Sequence, residues 1–145
     1  MNIHIITGSM TGNADRIATQ AAELLNAQGH QARINNRFSP QDLDNDDLLL
    51  LCHSNTGAGD LPDNILPLYL HLARDFPRIA GRQYGVINLG DSSYTSFNEA
   101  GVLLDAAMQD LGAVKLSESL IFDASEDEDT DAQLRDWIAT FSSLI

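Results

Sequence analysis

Several residue types are scarce in this sequence of 145 residues, and each scarcity excludes a class of structure. Cys52 is the only cysteine, which excludes an internal disulfide and any metal site built from several cysteines. No apolar run approaches the roughly 20 residues that a membrane-spanning helix needs. Residues 1–10 are apolar, but they lack a basic segment and a small-residue cleavage site, so we expect no signal peptide. These absences predict a cytoplasmic monomer.

Basic residues are also scarce, because 8 lysines and arginines stand against 21 aspartates and glutamates, a net charge of −13. Such a field repels nucleic acid and anionic lipid, since both are bound through basic side chains that neutralise phosphate. It attracts a basic partner protein, although a charge of this size also serves simply to keep a protein in solution. We therefore expect no nucleic acid and no membrane among the binding partners.

Apolar residues make up 43% and charged residues 20% of the sequence, which suits one globular domain over residues 1–145. Short apolar runs alternate with segments whose apolar residues recur at helical spacing. The runs predict five strands, at Asn2–Thr7, Gln31–Asn35, Leu48–Cys52, Tyr84–Leu89 and Val114–Phe122. The other segments predict helices at Ala14–Gln28, Leu61–Arg74 and Asn98–Leu111, and a closing helix with an inner stripe of Leu134, Trp137, Ile138 and Phe141.

This alternation predicts an α/β fold, in which a parallel sheet of order 2-1-3-4-5 carries helices on both faces. Ligands of such sheets bind beyond the carboxyl ends of the strands. The loops that follow Thr7, Cys52 and Leu89 leave those ends, and they are the loops richest in glycine and polar residues. We therefore expect the functional site in these three loops.

The first of these loops carries Ser9, Met10, Thr11, Gly12, Asn13 and Ala14. Its hydroxyls, its amide and the N–H groups of a helix N-terminus can bind a phosphate without a basic residue. The pattern G-x-x-x-x-G-K-[ST] of nucleoside triphosphatases and the dinucleotide pattern G-x-G-x-x-G are both absent. A capped turn that binds no ligand is the alternative interpretation.

The same residues resemble the flavodoxin fingerprint T/S-x-T-G-x-T/A, whose loop holds the phosphate of FMN. Ala14 stands where many members of that family have threonine, so one hydroxyl is absent. The other two loops extend the resemblance over essentially the whole chain. It implies a flavodoxin-like three-layer sandwich with FMN as cofactor. The last strand, Val114–Phe122, has no long insertion, so the chain is similar to short-chain flavodoxins.

The second loop carries Ser54, Asn55, Thr56, Gly57, Ala58 and Gly59, and Asp60-Leu61-Pro62-Asp63-Asn64 follow it. It resembles the G-x-G-D-x-P-D-N segment in the FMN domains of diflavin reductases and, more closely, the G-A-G-D-x-P-D-N of MioC-type flavodoxins. The resemblance implies that this loop flanks the isoalloxazine ring and gives backbone hydrogen bonds near N5. Thr56 stands where many members place an aromatic residue or a histidine. A capped helix start would explain Asp60 and Pro62, but not the two glycines.

The third loop carries Leu89, Gly90, Asp91, Tyr94, Phe97 and Asn98, and it resembles the family segment G-L-G-[DN]-x-x-Y-x-x-F. Asn88 replaces the first glycine of that segment. The resemblance implies that Tyr94 stacks on the flavin, since an aromatic face binds the oxidised ring well. An ordinary half-buried aromatic residue in a loop is the alternative interpretation of Tyr94. We expect Phe97 to pack beneath the loop. We also expect His53 to be a packed or solvent-edge histidine without a ligand role and Cys52 to be a small core residue.

Acidic residues cluster in two places. The clusters are Asp42, Asp44, Asp46 and Asp47, and Asp123, Glu126, Asp127, Glu128, Asp129 and Asp131. Solvated loops and helix capping explain part of this pattern. An acidic docking surface for the basic faces of a reductase and an acceptor is the functional interpretation.

The resemblance implies an FMN-binding electron carrier that shuttles electrons from an NAD(P)H-dependent flavodoxin reductase to an acceptor protein. A small flavin-dependent NAD(P)H or quinone reductase is the alternative, but few arginines are available to bind nicotinamide phosphates. A phosphoacceptor receiver needs an aspartate after the third strand and a lysine after the fifth, where the chain has Cys52-His53 and Phe122-Asp123. A cysteine phosphatase needs an arginine where Ala58 stands.

Overall fold

A computed structural model of the protein describes residues 1–8, 12–54, 65–90, 99–123 and 130–145. The strands in these residues are β1 (Asn2–Gly8), β2 (Gln31–Asn35), β3 (Leu48–Ser54), β4 (Gln83–Gly90), β5 (Val114–Lys115) and β6 (Leu120–Asp123). The helices are α1 (Asn13–Ala27), α2 (Leu66–Asp75), α3 (Glu99–Asp110) and α4 (Thr130–Ser143), and a 3-10 turn spans Pro40–Leu43.

Every pairing between these strands is parallel, and the sheet has the order β2-β1-β3-β4-β5, with β6 also paired to β4. The predicted flavodoxin-like sandwich is confirmed. The apolar run of β3 explains its central place, because side chains on both of its faces are buried. Leu50 and Cys52 lie in the core beneath α1 and α4, whereas Leu49 and Leu51 lie in the core beneath α2 and α3.

The prediction of one continuous last strand, Val114–Phe122, is wrong. Lys115 pairs with Tyr84 and Leu120 pairs with Ile87, so between these pairs two residues of β4 face four residues of the edge chain. The surplus residues bulge out of the sheet, as extra residues at a sheet edge do. The carbonyl of Glu118, within this bulge, accepts a hydrogen bond of 2.9 Å from the Trp137 indole of α4.

The helix predicted to begin at Leu61 begins at Leu66 instead, with Ile65 at its N-cap. Pro67 then lies in the first turn, where the missing N–H of proline removes no helical hydrogen bond. Residues 61–64 lie outside the described residues. The ends of the other predicted elements differ from the structure by at most two residues, as helix and strand ends commonly do.

The inner stripe of the closing helix is largely confirmed, because Leu134, Ile138 and Phe141 are buried. Trp137 is only half-buried, and its ring stacks on Phe141 at a centroid distance of 4.9 Å. No helix in the described part of the chain is both long and apolar enough to cross a bilayer.

A polar cluster fastens α3 to the sheet. Asp105 accepts hydrogen bonds from the Tyr84 hydroxyl of β4 and, at 2.8 Å, from the Lys115 ammonium of β5. Burial alone would raise the pKa of the Asp105 carboxyl, but the hydrogen bonds from Lys115 and Tyr84 and the charge of Lys115 outweigh it and hold the pKa below its usual value. The folded protein therefore favours the ionised carboxylate.

We expect Asp105→Asn to lower the free energy of unfolding by about 1 kcal/mol at neutral pH, since this hydrogen-bonded ion pair is partly exposed. Because folding lowers the pKa of Asp105, its contribution is complete above the usual value of 3.8 and is lost as the pH falls through the folded-state value. Urea unfolding at neutral pH and at about pH 2.5 should show the gap between variant and wild type closing in acid. Asp110→Asn, an exposed change on the same helix, is the control. A gap that did not vary with pH would contradict this account.

Candidate functional site

The carboxyl ends of the central strands lie side by side at one edge of the sheet. Gly8 of β1 is in register with His53 of β3, and Ser54 of β3 is in register with Leu89 of β4. The three loops identified in the sequence therefore leave the sheet together, at the edge where such folds bind ligands. Their inner residues, 9–11, 55–64 and 91–98, lie outside the described residues.

The first loop joins two glycines whose backbones the structure defines. Gly12 is the N-cap of α1 and has a φ of 83° and a ψ of 0°, a left-handed conformation that glycine adopts without strain. Gly12 has no side chain that could make a cap hydrogen bond at this helix start. The positive end of the helix dipole faces the loop, as it does at anion-binding helix starts.

Ala14 has a different environment from its exposed neighbour Asn13. Its side chain is fully buried in the core beneath α1, and its carbonyl oxygen accepts a contact of 3.4 Å from the Cys52 Sγ. The side chain of Ala14 is therefore not available to a ligand. Burial, with a smaller contribution from the Asp15 charge, raises the pKa of the Cys52 thiol, so Cys52 is the inert core residue expected from the sequence.

Gly8 allows β1 and the start of α2 to approach closely. A Cβ atom on Gly8 would lie 2.4 Å from the Ile65 Cβ and 2.7 Å from its Cγ2. Ile65 is fully buried and is the N-cap of α2. The absence of a side chain on Gly8 therefore sets the spacing between the first loop and the helix that follows the second loop.

His53 is fully buried at the end of β3, as expected. Its Nδ1 lies 3.2 Å from the Ser54 carbonyl oxygen, which assigns the ring proton to Nδ1 and leaves Nε2 as an acceptor. No donor among the described residues reaches Nε2. Burial lowers the pKa of His53 to about 4, so the ring is uncharged near neutral pH.

The other predicted site residues divide into two groups. Ser54 is half-buried at the end of β3, Leu89 packs its side chain on the core beneath α1 and α4, and Gly90 ends β4. The remaining predictions lie outside the described residues; they are Ser9, Met10, Thr11, Asn55, Thr56, Gly57, Ala58, Gly59, Asp91, Tyr94, Phe97 and Asn98.

The acidic clusters are described only in part. Asp42 accepts hydrogen bonds from Asn35, the last residue of β2, and from the Ser39 N–H, and Asp47 pairs with Arg33 at 2.9 Å. Asp47 directly precedes β3, so it lies at the edge away from the three loops. Asp123 ends β6 and thus lies at the loop edge.

Sequence reasoning missed three residues that shape this edge. Thr7, Asp15 and Ile65 carry no recognisable motif. The Thr7 hydroxyl donates a hydrogen bond of 2.7 Å to Asp15, and Ile65 packs on Gly8. Neither contact could be predicted, because each depends on how a helix packs on the sheet.

The profile of the family described as flavodoxin matches residues 5–137, which span all three loops. The chain belongs to the flavodoxin family. A relative named flavodoxin YqcA, from Escherichia coli K12, is 36% identical, and the match covers 99% of this chain and 97% of that protein. A MioC homolog from Haemophilus influenzae is 30% identical, with 97% of each chain covered. The solved structure of a cysteine-to-serine mutant of flavodoxin from Pseudomonas aeruginosa is 34% identical and has a TM-score of 0.91, with 99% of this chain and 98% of that chain covered.

Flavodoxins are electron carriers that bind FMN, and FMN is the cofactor that membership of the family implies. The described residues on either side of the first loop, at the end of β1 and the start of α1, fit the phosphate of this cofactor. The loop that leaves β1 ends at a left-handed glycine at the start of α1. Such a helix start supplies backbone N–H donors and a favourable dipole to a phosphate, even in a protein whose net charge is −13.

Proposed function

We propose that this flavodoxin shuttles electrons from an NAD(P)H-dependent flavodoxin reductase to an electron-acceptor protein. We also propose that it is a monomer, and that it is an electron carrier rather than an enzyme. The observation that supports this most is the register that brings Gly8, Ser54 and Leu89 to one sheet edge. When bound, FMN supplies a ring that accepts and releases electrons. Location in the cytoplasm and a single domain over residues 1–145 stay predictions from the sequence.

The proposed roles of the loops follow the family pattern. Ser9, Thr11 and Asn13 hold the phosphate together with the start of α1. The second loop flanks the isoalloxazine ring through the backbone of Gly57, Ala58 and Gly59. Tyr94 of the third loop stacks on the ring, and an aromatic face there opposes the extra negative charge of reduction.

The acidic cluster from Asp123 to Asp131 is the proposed docking surface for basic faces of both partners. Asp123 ends a strand at the loop edge, whereas Asp47 lies at the far edge in an ion pair with Arg33, and Asp42 is held by local hydrogen bonds. The acidic cluster at residues 42–47 is therefore not part of the proposed surface. Charge attraction of this kind gives fast encounters that weaken as salt is added.

Titration of the apo-protein with FMN, FAD and riboflavin, followed by flavin fluorescence, tests the cofactor site. We expect one-to-one quenching by FMN and weaker binding of riboflavin, which has the same ring but no phosphate. Absence of FMN binding at tens of micromolar would overturn the proposal.

Reduction of the FMN-loaded protein then separates a carrier from an enzyme. We expect no reduction within minutes by NADPH or NADH alone, and rapid reduction once a flavodoxin reductase is added. The rate with the reductase should fall as the salt concentration rises, because exposed charges are screened. Rapid reduction by a nicotinamide nucleotide alone would favour the alternative, a small flavin-dependent reductase.

A further inference from the structure

Two side chains connect the end of β1 directly to the first turn of α1. The Thr7 hydroxyl donates a hydrogen bond of 2.7 Å to the Oδ1 of Asp15. Thr7 is fully buried and Asp15 is half-buried, so water does not compete freely for this contact. A hydroxyl bound to a carboxylate at this distance is a strong, charge-assisted hydrogen bond.

A second contact supports the same turn from β3. Cys52 is the register partner of Thr7, and its Sγ lies 3.4 Å from the carbonyl oxygen of Ala14. The two neighbouring strands therefore both hold the first turn of α1. Of the two contacts, the one between Thr7 and Asp15 is the shorter and involves a charge.

The loop between the two anchored segments is short. Three residues connect Gly8, which is packed on Ile65, to Gly12, the N-cap of α1. The relative position of β1 and α1 therefore sets the distance that this connection spans.

The hydrogen bond between Thr7 and Asp15 also fixes the position of the negative charge of Asp15. Asp15 lies in the first turn of α1, where the helix dipole stabilises a carboxylate but where a phosphate would be repelled by it. Its hydrogen bond to a fully buried residue holds the carboxylate against β1. The Asp15 charge is thereby kept on the sheet side of the helix start.

We propose that Thr7 and Asp15 are positioning residues for the phosphate of FMN, and that their hydrogen bond determines how well the protein distinguishes FMN from riboflavin. The inference rests on the proposed function. Neither residue needs to touch the cofactor. The pair acts by fixing the position of α1 on β1, and thus the two ends of the first loop, and by holding the Asp15 carboxylate against β1.

Thr7→Val tests this inference, because valine keeps the shape of threonine and removes the hydroxyl. We expect the Kd for FMN to rise about tenfold, the loss typical of one hydrogen bond to a charged group, and the Kd for riboflavin to stay within about twofold. Thr7→Ser, which restores the hydroxyl, should return the Kd for FMN to within about threefold of wild type. Thermal unfolding of each apo-protein checks that the variants fold.

Three outcomes would overturn the inference while wild type still binds FMN. They are an unchanged Kd for FMN in Thr7→Val, an equal loss of FMN and riboflavin binding, and a failure of Thr7→Ser to restore FMN binding. Wild-type protein that binds no FMN at all would instead overturn the proposed function. Thr140→Val on α4 is the control, since its exposed hydroxyl also bonds within the protein, at 3.2 Å to the Asp136 carbonyl oxygen, but far along the last helix.

Discussion

Gly8→Ala should destabilise the protein and weaken FMN binding together. The added Cβ would lie 2.4 Å from the Ile65 Cβ and 3.3 Å from the Ile65 backbone nitrogen. Ile65 cannot rotate away, because the nearest atom is its own Cβ and because its carbonyl accepts a hydrogen bond of 3.0 Å from the Leu68 N–H. The start of α2 must therefore shift. We expect a loss of about 3 kcal/mol in urea unfolding and a Kd for FMN at least about tenfold higher, since two of the three loops move apart.

Gly29→Ala is the matched control for this prediction. Gly29 has a φ of 90° and no described atom within 4 Å of an added Cβ, so alanine there is strained without a clash. We expect a loss of about 1–2 kcal/mol in stability with no change in the Kd for FMN, because Gly29 follows the far end of α1. The double variant Gly8→Ala with Ile65→Gly should recover part of the affinity for FMN. An equal effect of Gly8→Ala and Gly29→Ala on FMN would contradict the argument.

Much of the fold could be predicted because burial on both faces leaves a pattern in the sequence. The continuous apolar runs of β3 and β4 indicate central parallel strands, and the helical spacing of Ile17, Ala21 and Leu25 indicates α1. The break between β5 and β6 could not be predicted, because it depends on a mismatch in register with β4 rather than on any residue of the edge chain. An edge strand has one neighbour, so a bulge there costs little.

The location of the site could be predicted from the sequence, but the contacts that support it could not. Chain order and strand ends alone place the three loops at one edge, and the family resemblance then assigns roles to residues such as Thr11 and Tyr94. No pattern in the sequence indicates the contacts between the sheet and the helices that fix the ends of those loops. Thr7 and Asp15 meet only because α1 packs across β1, and Gly8 meets Ile65 only because α2 starts beside it. Contacts of this kind are set by packing rather than by local pattern.

His53 should make the stability of the apo-protein depend on pH between its ordinary pKa of 6.5 and its folded-state pKa of about 4. Its pKa is about 4 in the folded protein, because burial disfavours the charged ring, against an ordinary value of 6.5. Above pH 6.5 both folded and unfolded chains carry a neutral His53, so the pH has no effect through this residue. As the pH falls below that value the unfolded chain takes up a proton and the folded chain does not. Stability therefore falls, by about 2 kcal/mol near pH 5 and about 3 kcal/mol near pH 4.

His53→Gln, which keeps a polar side chain but cannot titrate, should remove this pH dependence between about pH 6.5 and pH 4. Urea unfolding of both apo-proteins across that range measures the difference. His4 is also buried, and burial followed by the charge of Arg33 lowers its pKa, so it adds an effect of the same sign. His4→Gln is for this reason the necessary control, and we expect it to leave the larger part of the pH dependence in place. Parallel curves for wild type and His53→Gln would mean that the end of β3 opens enough in the apo-protein for the ring to be protonated, and that His53 is not a buried neutral group there.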